Sequence, residues 1–160
     1  MPVLMPLLMA LSLLACGDKE TDDSGSHTDP HGDGGSDGGS AFDTGTLDFE
    51  RTQVSSGGTY TVSWNPSTEP IVVGEDFAIG FNAIPGVMPE GGYAFTAATA
   101  TMPNHGHGMN VSPVITDNGD GTATATPFQF HMEGWWEIST ELTAGDGTVE
   151  TATFNFYCCE

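Results

Sequence analysis

The chain has 160 residues and a formal charge of −20 at pH 7, from 22 acidic residues against two basic ones, Lys19 and Arg51. With almost no cations it cannot neutralise phosphates, which argues against nucleic-acid binding, and it has nothing to attract an anionic lipid surface. Its field favours cations as partners, and its length leaves room for a single domain.

Residues 1–15 read MPVLMPLLMALSLLA, an apolar run of signal-peptide length and too short to span a bilayer as a mature helix. It ends in Leu13-Leu14-Ala15-Cys16-Gly17, after which Asp18 begins a polar stretch. This segment resembles the bacterial lipobox, in which small residues precede an acylated cysteine. The resemblance implies a lipoprotein anchored through Cys16 in the cell envelope, on the periplasmic face or the cell surface. Several acyl chains are needed for stable attachment. The leader departs from the pattern in one respect, since no Lys or Arg precedes the apolar run.

Residues 16–46 are rich in Asp, Gly and Ser, and Phe42 is their one large apolar side chain. Such a segment buries too little surface to offset its ordering entropy, and its like charges extend it. It is predicted to be a disordered tether. His27 and His31 could catch a metal weakly, but the ordered ligand positions of a calcium loop are missing.

Residues 47–160 form the predicted domain, and alternation marks its strands. Tyr60, Val62 and Trp64 share one face, and Ile71 to Val73 is a short apolar run before Phe77, Ile79 and Phe81. Tyr93 to Met102 is a further strand. Met109 to Ile115 and Thr122 to Phe130 flank a hairpin signal, Asp117-Asn118-Gly119-Asp120-Gly121, whose Asn and Gly tolerate positive φ. Trp136, Ile138, Thr140 and Leu142 alternate with Glu137, Ser139 and Glu141. A turn at Ala144 to Gly147 leads to a last strand, Val149 to Tyr157. No stretch shows helical periodicity. The pattern predicts an all-β fold, an immunoglobulin-like antiparallel β-sandwich of about seven or eight strands, with a small barrel as the alternative.

The chemistry concentrates in Met102-Pro103-Asn104-His105-Gly106-His107-Gly108-Met109. Two imidazoles and two thioethers lie within eight residues, and the glycines flanking His107 allow a tight fold. Imidazole suits zinc, copper and nickel, whereas thioether selects copper(I). His105, His107, Met109, Met102 and His131 are therefore the candidate ligands of a copper ion. The competing reading makes the loop conformational punctuation, with both methionines in the core and His131 on an exposed strand.

Met102-Pro103-x-His105-Gly106-His107-Gly108, followed by Phe130-x-Met132-x-Gly134-x-Trp136, resembles the YtkA-like family of small exported bacterial domains over about Ile71 to Leu142. The resemblance implies an immunoglobulin-like sandwich similar in form to periplasmic copper carriers. It leaves activity undefined. Asn104-His105 stands where a Met-Gly pair is more usual, so no family ligand set carries over. Period alone places Met132 in the core beside Phe130.

Apart from Cys16, the cysteines are the adjacent Cys158 and Cys159. They could form a vicinal disulfide, bind soft metal, cross-link two chains or remain free, with Cys158 on the inward face of Phe154 and Phe156. No nucleophile elbow, Walker lysine or isolated carboxylate pair is present, so the chain is not expected to be an enzyme. The leading expectation is a metal-binding envelope lipoprotein. The alternative is a metal-free structural or interaction module displayed from the membrane, its protein partner unknown.

Overall fold

A computed structural model describes residues 44–159. The predicted leader, the expected lipidation site Cys16, His27, His31 and the predicted tether as far as Asp43 lie outside the described residues. The last residues assigned to the tether, Thr44–Thr46, form a 3-10 turn.

Nine strands follow: β1 (Thr52–Val54), β2 (Tyr60–Pro66), β3 (Phe77–Pro85), β4 (Tyr93–Met102), β5 (His107–Gly108), β6 (Val114–Asp117), β7 (Thr122–Phe128), β8 (Gly134–Ala144) and β9 (Val149–Cys158). They build two antiparallel sheets, ordered β1-β2-β3-β7-β6 and β5-β4-β8-β9. Without the very short β1 and β5, the remaining seven run first-second-fifth-fourth against third-sixth-seventh. That is the order of a constant-type immunoglobulin domain. The chain is an all-β, immunoglobulin-like sandwich.

Alternation explains the strands. Tyr60, Val62 and Trp64 of β2 are buried, as are Phe77, Ile79 and Phe81 of β3 and Trp136, Ile138, Thr140 and Leu142 of β8. Both hairpins expected from their glycines are present. β6 pairs with β7 across Gly119 (φ 75°), and β8 pairs with β9 across Gly147 (φ 87°). The apolar run Ile71 to Val73 lies in the connection from β2 to β3, with Ile71 alone buried in the core. One expectation needs correction here. Strand structure after Met109 begins only at Val114. The short β1 and β5 offered too few residues to show a period.

Two carboxylates tie one sheet to the other. Asp117 Oδ2 accepts from the Phe95 amide at 2.8 Å, beside a bulge in β4. Buried Glu150 accepts from Ser55 Oγ (2.6 Å), Thr59 Oγ1 and the amides of Gly57 (3.1 Å) and Thr59 (3.2 Å), clasping the β1–β2 turn to β9. Burial alone pushes the Glu150 carboxyl up. The donors from Ser55, Thr59 and Gly57 outweigh it and hold the group below its ordinary value of 4.5.

A carboxylate with a depressed native pKa contributes stability above its unfolded value, and this is lost as pH falls through the native value. Glu150→Gln turns an amide donor toward these donors and should lower stability at neutral pH by about 2 kcal/mol. Denaturant titrations should also show a shallower loss of stability below pH 4.5 than in wild type. Wild-type stability at both pH values would contradict the clasp.

Candidate metal site at one pole of the sandwich

The site begins with a four-residue turn. β4 ends at Met102 and β5 starts at His107, and these two residues are antiparallel partners. The Met102 carbonyl accepts from the amides of His105 (3.0 Å) and Gly106 (2.9 Å), and Gly106 takes a φ of 66°, which a side chain would resist. The turn therefore holds His105 exposed at its tip and His107 half-buried at its base. Their ring centroids are 5.7 Å apart.

His131 comes from elsewhere in the chain. It lies in the connection between β7 and β8, residues 129–133, and not on an exposed strand. Several contacts fix that connection. Phe130 is fully buried and stacks on Trp136 at 4.8 Å, and the Phe130 carbonyl accepts from the Gly74 amide at 2.8 Å. Gln129 Nε2 donates to Asp76 Oδ1 at 2.9 Å, and Trp136 Nε1 donates to the Met132 carbonyl at 3.0 Å. Because this segment is not a strand, the two-residue period fails there. Met132 is exposed, contrary to its expected place in the core.

These two connections bring three imidazoles together. The His131 centroid is 5.1 Å from that of His107, and both rings meet Trp136 edge-on, at 5.4 Å and 6.3 Å. His107 Nδ1 lies 3.1 Å from the Gly108 carbonyl. A carbonyl only accepts, so Nδ1 donates this hydrogen bond and Nε2 is left for another partner. His131 Nδ1 is buried with no hydrogen-bond partner. A buried, unsatisfied polar atom costs about 1–3 kcal/mol. Among the described residues no three His, Cys, Asp or Glu side chains form a closed metal centre in this conformation.

The methionines divide differently. Met102 is buried in the core and Met109 packs partly against it. Both therefore have structural roles, as the competing reading of the loop expected. Met102 nevertheless lines a cleft of about 380 Å³ together with His105, Glu133, Gly134 and Tyr157. Sequence reasoning missed Glu133, Trp136 and Tyr157 as neighbours of the site. Glu133, two residues after His131, and Trp136, at the end of the Phe130-x-Met132-x-Gly134-x-Trp136 motif, left some signal. A second cleft of about 410 Å³ is lined by Arg51, Glu69, Phe156, Tyr157 and Cys159, so Tyr157 borders both. Arg51 pairs with Glu69 and lies 5.0 Å over the Trp64 ring. Cys158 and Cys159 are joined as a vicinal disulfide at the end of β9, Cys158 fully buried and Cys159 half-buried.

No protein-family model, curated protein or solved structure matches this chain.

Proposed function

We propose that the chain is a cell-envelope lipoprotein whose sandwich carries a metal ion, copper being the ion its donors favour, at His105, His107 and His131. The observation that supports this most directly is the spacing of the imidazoles. With metal–nitrogen bonds of about 2 Å, two imidazoles sharing an ion place their centroids roughly 5 Å apart at a tetrahedral angle. By ring centroids His107 stands 5.7 Å from His105 and 5.1 Å from His131, so each of these two pairs is near that spacing. The unpaired Nδ1 of His131 and the oriented ring of His107 suit a shared ion.

Copper(II) leads the divalent first-row ions in affinity for nitrogen sites, and the charge of −20 concentrates cations near the domain. The leader and Cys16 support attachment to the membrane by acyl chains, with the domain held outside the cytoplasm. A role as a carrier or buffer fits better than catalysis, since among the described residues no side-chain nucleophile is seen hydrogen-bonded to these imidazoles. The resemblance to YtkA-like domains points to the same compartment.

The test is a copper(II) titration of the full chain carrying Cys16→Ser, read by tryptophan fluorescence. Trp136, in contact with two of the three imidazoles, should be quenched at one equivalent. At a hundredfold excess over Kd the native state should gain about 2.7 kcal/mol. His105→Ala/His107→Ala should abolish tight binding, and His131→Ala should weaken it at least about tenfold. Uptake equal in wild type and both variants would reflect the acidic surface alone. That outcome would leave a metal-free display module as the description.

A further inference from the structure

The cleft lined by Arg51, Glu69, Ile71, Phe156 and Cys159 joins two features that the imidazole cluster does not use, a disulfide and a cation. Cys158 is fully buried and offers no surface to solvent, whereas Cys159 is half-buried and lines the cleft. An incoming molecule therefore meets Cys159. Arg51 is the one Lys or Arg among the described residues. Packing holds it in place: its backbone carbonyl accepts from the Trp64 amide at 3.1 Å, and its guanidinium lies 5.0 Å over the Trp64 ring. Trp64 in turn meets Phe156 edge-on at 5.5 Å, on the strand that ends in Cys158. Glu69 pairs with the guanidinium, but the two side chains are 56% and 41% exposed, and exposed pairs hold weakly. A ligand carboxylate can therefore take the place of Glu69, in the planar two-point geometry that guanidinium favours. Ile71 and Phe156 supply apolar wall, and the volume of about 410 Å³ suits a small molecule.

From this arrangement we infer that the Cys158–Cys159 disulfide is a thiol–disulfide exchange centre that oxidises small thiols bearing a carboxylate, which enter by the Arg51 cleft and attack Cys159. The thiolate is the attacking form. Its sulfur bonds to Cys159 Sγ and the Cys158–Cys159 bond breaks. Cys158 leaves with the electron pair and takes up the proton that the incoming thiol gave up. A second thiolate attacks the substrate sulfur of this mixed disulfide, which forms the product disulfide. Cys159 then leaves with its electron pair and takes up the second proton. Two substrate thiols thus lose two electrons and two protons, and the chain gains both as two cysteine thiols. Arg51 binds the carboxylate while the chemistry takes place at Cys159. The inference stands apart from the metal reading, since none of the three imidazoles lines this cleft.

The experiment is single-turnover reduction of the oxidised full chain carrying Cys16→Ser, which leaves residues 158 and 159 as its only cysteines. The probes are mercaptopropionate, which carries a carboxylate, and mercaptoethanol, which is neutral, at equal thiolate concentration. Acid quenching at low conversion, alkylation of the freed thiol and fragment mass spectrometry should place the mixed disulfide on Cys159 and the alkyl group on Cys158. Comparing the ratio of the two rates between variants cancels the intrinsic reactivity of each thiol. Arg51→Gln should lower the mercaptopropionate-to-mercaptoethanol ratio at least about threefold, Arg51→Lys should keep most of it, and Glu69→Gln should raise it. Glu69→Gln leaves Arg51 in place and so tests the cleft even if the Arg51 variants fold poorly. A mixed disulfide formed first on Cys158 would overturn the inference, as would reduction no faster than unfolding of the chain. A ratio unmoved by Arg51→Gln and by Glu69→Gln would overturn the selection of carboxylate-bearing thiols.

Discussion

The Trp136 ring is the contact on which the candidate site depends. It projects inward from β8 and is fully buried. One face stacks on Phe130, and the Nε1 proton goes to the Met132 carbonyl. A connection without regular structure is thereby fixed at both its apolar and its polar groups. Interior packing is dense and poorly compressible, so the backbone on either side of His131 has little freedom. The edge contacts of His107 and His131 with the same ring then set the spacing of imidazoles that come from distant parts of the chain. Core and site are joined through one side chain.

The immunoglobulin order of strands explains why these groups meet at one end. The β4–β5 turn, the β7–β8 connection and the end of β9 come together there. The β2–β3 connection joins them through Gly74 and Asp76. The end therefore gathers His105, His107, His131, Glu133, the disulfide and both clefts. Binding groups placed on connections and held by a rigid sandwich are the usual division of labour in such folds.

Much of this was legible in the sequence. Two-residue alternation marked β2, β3 and β8, and the glycines of Asp117 to Gly121 marked a hairpin, because each signal is local. The His-x-His segment was visible because its donors are neighbours in the chain. Legibility ended where regular structure ended. His131 and Met132 were read as strand positions, and a period has no meaning in an irregular connection. The strand β5 is two residues long and exists only because Thr101 and Met102 at the end of β4 offer it partners. The Glu150 clasp spans more than ninety residues of sequence, and nothing distinguishes that glutamate from 21 other acidic residues until the turn at Ser55 folds against it.

The central claim, that one ion is held by imidazoles from two connections, is tested most directly by pulsed electron paramagnetic resonance of the full chain loaded with one equivalent of copper(II). The account predicts modulation from three imidazole nitrogens, falling to two in His131→Ala and lost in His105→Ala/His107→Ala. An oxygen-only spectrum unchanged by these substitutions would contradict it, and would assign the copper to the acidic surface.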